Sequence, residues 1–301
     1  MCTFTVTVND TEVPVFGSNP LIPEMLYYKF DGTGTSIDNL ASAPPAGTAT
    51  ATIVGAQTQG TAGLCDNGAL LGTGGSSSTN YVNTGWTTNF SGSWTISFKT
   101  SNIQPSTTLF YVFGDNTAGS FRCFTNGVAG ADNWMLRGTG ITDVIAAGAA
   151  TTGTHTTTFV YDATAGNIKA YVDGALVNTV AQGTITNSGS GPFKVGGYAT
   201  STGLPNGGLM DEFGLFSRAL NDAEVAELAG CPISSSTCPD PITVNNDPGE
   251  CGAVVTYDIP TAVDNCPGVT VSQTAGLSSG SQFPVGVTTN IFIATDAAGN
   301  T

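Results

Sequence analysis

Apolar and polar positions alternate in short runs through most of this chain, and the 3.6-residue rhythm of a helix is almost absent. Residues 25–30, 81–83, 93–98, 108–113, 120–124, 133–137, 155–161, 168–172, 175–177, 193–195 and 208–216 read as strands, each bounded by Gly, Asn, Asp, Ser or Pro. Many short strands with regular turns predict an all-β sandwich or barrel. Asp173-Gly174 falls where a two-residue type I′ turn needs positive φ, so 168–172 and the strand beginning at Ala175 form a hairpin. One short helix interrupts the pattern near residue 221. Asn221 can cap it, Glu224 stands three residues on as in a capping box, Val225 and Leu228 give an apolar side, and Gly230 suits a left-handed stop.

The two ends carry pieces of smaller β modules. In Cys2-Thr-Phe-Thr-Val-Thr-Val8 the alternation is strict and stops at a polar turn, so residues 1–10 read as a last strand. Residues 11–21 hold turn formers and two prolines, the composition of an extended, unpaired linker. The central domain spans 22–230, a second linker spans 231–237, and 238–301 opens another module that halts at Asp296-Ala-Ala-Gly-Asn-Thr301, one strand short of closure. The expectation is a segment of a longer string of modules.

Charge then narrows the partners. Seven basic against 22 acidic residues give a net charge of −15, and all the basic residues lie between Lys29 and Arg218. Such a surface repels nucleic acid. No run approaches the ~18 apolar residues of a membrane span. Only 10% of residues are charged and 40 are glycine, which again favours strands and tight turns over helix. Seven cysteines is an odd number, so in a disulfide framework a partner is missing or a thiol is free. Disulfides persist in oxidising compartments, which places the chain outside the cell, secreted or at its surface.

Two family resemblances rest on ordered motifs. Cys238-Pro-Asp-Pro-Ile, Glu250-Cys251-Gly-Ala-Val-Val-Thr-Tyr257, Asp264-Asn-Cys266, Phe283-Pro-Val-Gly286 and Asp296 with Gly299-Asn300 resemble the hyalin repeat, an immunoglobulin-like adhesion module. Cys2 to Val8 matches the strand that closes such a repeat. The resemblance implies a partial immunoglobulin-like sandwich at the C-terminus and local pairing of Cys251 with Cys266, a loop whose closure contributes about 3 kcal/mol in the chain-entropy model. It also implies that Cys2 and Cys238 pair outside residues 1–301.

The second resemblance covers about 22–230. Met210-Asp-Glu-Phe-Gly-Leu-Phe-Ser-Arg-Ala-Leu-Asn-Asp-Ala-Glu-Val-Ala-Glu-Leu228, Lys169-Ala-Tyr-Val-Asp-Gly174 and Tyr28-Lys-Phe-Asp-Gly32 are similar to concanavalin A-like laminin-G domains. It implies a jelly-roll β-sandwich of two antiparallel sheets with one short C-terminal helix. It also implies that the opening loop and the first carboxylate of the Asp-Glu pair approach each other, giving Asp31, Asp38 and Asp211 as oxygen ligands for calcium; the alternative is that Asp31 and Asp38 cap turns and Asp211 pairs with Arg218 or the sheet edge.

Catalysis has little to stand on. His155 is the single histidine, in a Thr-rich strand, and no nucleophile elbow or phosphate loop occurs. The chain therefore reads as a non-enzyme. Arg122 points opposite to Phe121 and Cys123, and Arg137 opposite to Trp134 and Leu136, so both arginines can present forked donors to an acidic sugar from one sheet face. Trp86, Trp134 and Tyr198 are the candidates for stacking on sugar rings. Cys231 can tie the helix to the sheet through Cys65 or through Cys123. The expected function is extracellular adhesion or carbohydrate binding, with a glycan, polysaccharide or cell-surface protein as partner. A structural stalk, and an accessory module of a secreted polysaccharide-degrading enzyme, are the alternatives.

Overall fold

The computed structural model describes residues 15–16, 21–65, 68–117, 120–126, 130–185, 189, 191–199, 201–231, 242–260, 262–263 and 269–301. The chain forms two compact units: Leu21–Cys231, and Met1–Pro20 together with Pro232–Thr301. The smaller unit starts with β1 (Val15–Phe16). In the larger unit follow β2 (Leu26–Tyr28), β3 (Ser36–Asp38), β4 (Thr50–Val54), β5 (Thr58–Ala62), β6 (Gly68–Leu71), β7 (Tyr81–Asn83), β8 (Trp94–Ser101) and β9 (Tyr111–Gly114). Next come β10 (Arg122–Asn126), β11 (Gly130–Gly138), β12 (Ile141–Ala146), β13 (His155–Asp162), β14 (Asn167–Val172), β15 (Ala175–Ala181), β16 (Lys194–Val195), β17 (Leu209–Phe216) and helix α1 (Asp222–Ala229). The smaller unit resumes with β18 (Gly252–Val255), β19 (Ala262–Val263), β20 (Thr270–Ala275), β21 (Ser281–Pro284) and β22 (Ile291–Thr295).

The larger unit is the two-sheet sandwich that the strand pattern requires. Sheet I runs β12-β11-β10-β9-β16-β7-β4-β3; sheet II runs β15-β14-β13-β8-β17-β6-β5, with β2 also paired to β17. Alternate residues point inward because side chains in a strand have a period of two. Trp94, Ile96 and Phe98 of β8 and Phe213 of β17 meet Phe113, Phe121 and Trp134 of sheet I in one core cluster. The Trp94 and Phe121 rings meet edge to face at 5.5 Å, and those of Phe98 and Phe113 at 5.7 Å, the geometry that ring quadrupoles favour.

The outer face of sheet II is closed by the chain's own return. Val160, Tyr171 and Phe216 pack under Leu220 and Val225. Asn221 caps α1 by accepting N–H bonds from Ala223 and Glu224 while the Glu224 carboxylate accepts the Asn221 N–H, the full capping box. Gly230 ends the helix in an extended conformation, φ −65°, ψ 169°, not the left-handed one expected. The reason lies across the sheet: buried Lys99 on β8 donates Nζ–H bonds to the carbonyls of Leu228 at 3.2 Å and Ala229 at 2.8 Å. A cation at the helix C-terminus satisfies the orphan carbonyls that a left-handed turn would otherwise satisfy. One residue later Cys231 bonds Cys65, with Cα atoms 5.1 Å apart, which settles the choice between Cys65 and Cys123. Cys123 is buried in the core as a free thiol.

Asp173 and Gly174 have φ 50° and 79°, as the type I′ hairpin requires. Val15 and Phe16, expected within an unpaired linker, instead pair with Val263 and Ala262. Both residues are good strand formers and keep their N–H groups, so the prolines around them did not prevent a ladder. In the smaller unit β18 pairs β21 and β20 pairs β22. Tyr257 joins these ladders, its ring 6.4 Å from Phe283 and 6.2 Å from Phe292, both edge to face. Cys251 is exposed and bonded to no described cysteine; its expected partner Cys266, like Cys2 and Cys238, lies outside the described residues.

Candidate ligand-binding face

The outer face of sheet I is built by registration across six strands. Lys194 of β16 stands opposite Asn83 and Gly114; Gly114 in turn stands opposite Arg122, and Arg122 opposite Arg137. Two residues along β10 and β11, Phe124 stands opposite Met135, and Met135 opposite Ile145; a register shift against β9 sets Tyr111 opposite Phe124. Side chains two apart share a face. A cationic row therefore lies beside an aromatic row, and three of the chain's seven basic residues gather here.

The aromatic row is a stack. Tyr198 lies on Tyr111 with centroids 4.9 Å apart and planes 15° from parallel, and Tyr111 lies on Phe124 at 5.1 Å. Gly114 makes this possible, because a Cβ there would come within 2.6 Å of the Tyr198 ring and 2.9 Å of Arg122 Cβ. The Arg122 guanidinium sits 5.6 Å from the Phe124 centroid and 5.5 Å from that of Tyr198, while Arg137 sits 5.6 Å from Phe124 on the other side. Cations over ring faces are attracted by the ring quadrupole. Lys194 is placed in the same way, 4.0 Å above Tyr81, and donates to the Ser77 carbonyl at 3.1 Å. Its burial pushes its pKa below the usual lysine range.

The two arginines differ in what remains to bind. Arg137 is engaged by a two-point ion pair: Nε donates to Asp143 Oδ1 at 2.8 Å and Nη2 to Oδ2. That bonding raises the Arg137 pKa and lowers that of Asp143. Arg122 has no carboxylate partner among the described residues; its Nη1 donates to the Ser120 carbonyl at 2.7 Å. Its guanidinium thus keeps donors that no carboxylate engages among the described residues.

The tryptophans expected beside these arginines are elsewhere. Trp134 has no exposure and its Nε1 donates to Thr100 Oγ1 at 3.3 Å inside the sandwich. Trp134 and Arg137 are three residues apart, an odd step, so the face that shows one hides the other. Trp86 is likewise core, edge to face with Phe90 at 5.6 Å and Phe193 at 5.5 Å. Of the expected set, Arg122, Arg137 and Tyr198 converge. Tyr111, Phe124 and Lys194 were missed, although the alternation that assigns Arg122 outward also assigns Phe124 outward.

The carboxylates expected to hold calcium fall into a pair and an outlier. Asp211 is fully buried on β17 and accepts N–H bonds from Leu64 at 2.9 Å, Cys65 at 3.1 Å and Glu212 at 2.8 Å. Burial lifts its pKa to about 6 against those donors, with the charge of nearby Asp31 adding to the rise. Asp31 accepts the Gly68 N–H at 2.7 Å. Asp38 is not in the opening loop: it ends β3, exposed opposite Thr50, because buried Ile37 before it draws the segment into sheet I. Arg218 pairs with Glu24 and Glu224, not with Asp211. A carboxylate offers about four lone-pair sites, and Asp211 has used three. Asp31 and Asp211 thus lie close enough for their charges to repel, and Asp38 stands apart from them at the end of β3. The Cys65 sulfur near Asp211 and Glu212 is bound in the disulfide and is no thiolate ligand.

His155 lies between Thr151 Oγ1, 3.0 Å from Nε2, and Asp173 Oδ2, 2.8 Å from Nδ1. Asp173 also accepts the Thr156 N–H at 2.8 Å, so this chain of bonds fastens the β14–β15 turn to the start of β13.

The family described as the concanavalin A-like lectin/glucanases superfamily matches residues 72–226, half of the chain and most of the sandwich. The chain belongs to this superfamily. Residues 232–301 match the HYR domain. No curated protein matches the chain. Similar solved structures include the binding domain of Paraclostridial Mosquitocidal Protein 1, 13% identical over 66% of this chain and 52% of that one, with a TM-score of 0.48. A botulinum neurotoxin type C structure is 12% identical over 66% and 51%, TM-score 0.46, and Trypanosoma rangeli sialidase with the inhibitor DANA is 12% identical over 67% and 32%, TM-score 0.45. The chain spans about half the length of the toxin chains that it matches. Among the described residues no helix is long and apolar enough to cross a membrane.

Proposed function

We propose that the concanavalin A-like unit is the ligand-binding module of an extracellular, non-catalytic adhesion or glycan-binding protein, and that it takes an anionic carbohydrate on the outer face of sheet I. One observation carries the reading: in a chain of net charge −15, the Arg122 fork stands without a carboxylate partner among the described residues, over a stack of three aromatic rings. Guanidinium donors match a carboxylate or sulfate, and ring faces match the apolar side of a pyranose. The Cys65–Cys231 bond supports an oxidising, extracellular setting. HYR sequence beside the lectin-like unit supports adhesion, because weak single sites gain from being repeated on one tether. Calcium belongs to the proposal at Asp31 and Asp211, where it would offset their repulsion.

The test is binding of immobilised polysaccharides bearing uronic acid or sulfate, with neutral polysaccharides as controls, in millimolar calcium and in excess chelator. The anionic glycans should bind and the neutral ones should not, with affinity falling as salt rises. Arg122→Ala should weaken binding about 10- to 100-fold, the range of one charge-assisted hydrogen bond. Binding that ignores Arg122→Ala would sink the assignment of the face. The low exposure of Tyr111, Phe124 and Tyr198, 4% to 8%, favours a second reading as a spacer. A spacer predicts no binding in either buffer.

A further inference from the structure

The cationic row on the outer face of sheet I ends in a carboxylate. Lys194, Arg122 and Arg137 lie across β16, β10 and β11, and beyond them Asp143 stands on β12, the edge strand of the sheet. Arg137 Nε donates to Asp143 Oδ1 at 2.8 Å, and Nη2 donates to Oδ2. Bonding to Arg137 holds the Asp143 carboxyl below the usual range and the charge of Arg122 acts in the same direction, so Asp143 stands within electrostatic range of both guanidinium groups. The accessible atoms of this face are these polar ones. The side chains of Arg137 and Asp143 are each 41% exposed, whereas the Phe124 and Tyr198 rings lie buried against the guanidinium groups.

We infer that Asp143 is the specificity-determining residue of this face, and that it selects a uronic acid with free neighbouring hydroxyls over a sulfated sugar. The inference rests on the glycan-binding reading above and narrows its ligand class. An ionised carboxylate has about four lone-pair sites, and Arg137 engages one on each Asp143 oxygen. What remains accepts hydrogen bonds from donors alone, and a sugar hydroxyl is such a donor. Arg137 has more N–H groups than Asp143 engages, so the pair offers acceptor and donor side by side, the pattern of a vicinal diol. A sulfate ester at the same place removes the O–H donor and sets a second negative charge against Asp143. Salt does not hide that repulsion, because the screening length is about 10 Å at 0.1 M while adjacent strands are only about 4.8 Å apart. The ligand's own carboxylate belongs at the other end of the row, where the Arg122 fork has no carboxylate partner among the described residues. One strand separates Arg122 from Asp143 in the sheet, so a ring held at Arg122 by its carboxylate turns its far hydroxyls toward Arg137 and Asp143. The order of charges gives the face a direction, and an anion at the wrong end is rejected.

The test measures binding of the full chain, at one ionic strength, to polygalacturonate, to the same polymer O-sulfated and to the same polymer O-acetylated. Acetylation blocks the hydroxyl donors without adding charge; sulfation does both. Wild type should bind polygalacturonate about tenfold more tightly than either derivative, although the sulfated polymer is the most anionic of the three. Asp143→Asn removes the repulsion and loosens the hold on Arg137, so it should raise affinity for the sulfated polymer about tenfold and reverse the order, while Asp143→Glu keeps the wild-type order. Tryptophan fluorescence controls for global damage, because Trp86, Trp94 and Trp134 all lie in Leu21–Cys231 and their unfolding transition should not move in either variant. A wild type that binds the sulfated polymer as tightly as its parent would overturn the inference, as would an Asp143→Asn variant with the wild-type order. If Arg122→Ala still weakens binding in those cases, the site stands and only its selectivity falls. Absence of binding to all three polymers would overturn the inference together with the glycan-binding reading beneath it.

Discussion

Removing the Cys65–Cys231 bond by Cys65→Ser/Cys231→Ser tests how the larger unit is held together. The bond closes a loop with a sequence separation of 166 and joins the segment before β6 to the residue after α1. In the chain-entropy model a loop of that size restricts the unfolded chain by about 5 kcal/mol, more than the ~3 kcal/mol of a 15-residue loop. A typical domain is stable by roughly 5–15 kcal/mol, so the loss is large but leaves the aromatic core to fold. The assay is guanidinium unfolding of the full chain followed by tryptophan emission, which reports this unit alone. The expected result is a midpoint lowered by the equivalent of about 3–5 kcal/mol, with the native emission maximum retained because Trp86 and Trp134 stay buried. A loss below about 1 kcal/mol would refute the reasoning, for it would mean that the reduced unfolded chain is no freer than the bonded one. A blue-shifted native spectrum lost even without denaturant would refute it in the other direction, by making the bond a condition of the core itself.

Three further predictions concern buried charge. Lys99→Met should destabilise the larger unit by about 1–3 kcal/mol, the cost of leaving the Leu228 carbonyl unsatisfied and the Ala229 carbonyl with Thr156 Oγ1 alone, and hydrogen exchange should locate the loss in α1. Asp211 has a folded pKa of about 6 against an ordinary value of 3.8, so its stabilising contribution is fully present below pH ~4 and is lost as pH rises through 6. The shift corresponds to about 3 kcal/mol. Asp211→Asn should flatten the stability profile between pH 4 and 6 in thermal melts; a variant with the wild-type slope would assign the titration to another group. Millimolar calcium should raise the wild-type melting temperature at pH 7 and leave that of Asp211→Asn in place.

Much of the sandwich was legible because its inner face is aromatic. The strand at 93–98 alternates Trp, Ile and Phe with Ser and Thr, a pattern that period two alone decodes, and 155–161 ends in the β-forming run Phe159-Val-Tyr161. The strands that were not read, β3, β4, β5, β6 and β12, contain no aromatic residue. Thr58-Gln-Gly-Thr-Ala62 looks like loop by composition, and Thr50-Ala-Thr-Ile-Val54, though rich in β-branched residues, carries no aromatic anchor. The arginine face was half legible. Alternation gave the outward direction of Arg122 and Arg137, but sequence could not show that β9, β10 and β16 would align Tyr111, Phe124 and Lys194 beside them. Gly230 misled for a similar reason, since its left-handed role was taken by Lys99, 131 residues earlier in the chain.

The position of the Cys65–Cys231 bond also determines how this unit carries mechanical load. Tension applied at Leu21 and at Cys231 passes from the early chain through the two sulfurs and bypasses residues 66–230 entirely. The first element to yield is β2, whose Leu26 faces Leu215 of β17 so that the pair opens like a zipper from its loaded end. Extension then stops after 65 − 21 = 44 residues, about 150 Å, where a fully unravelled chain between the same points would give about 740 Å. In single-molecule pulling the long step should appear only in reducing buffer. The strands that carry the Arg122 face, β9, β10, β11 and β16, all lie within residues 66–230 and so stay outside the force path, whereas β3 and β4 at the other end of the same sheet are drawn out.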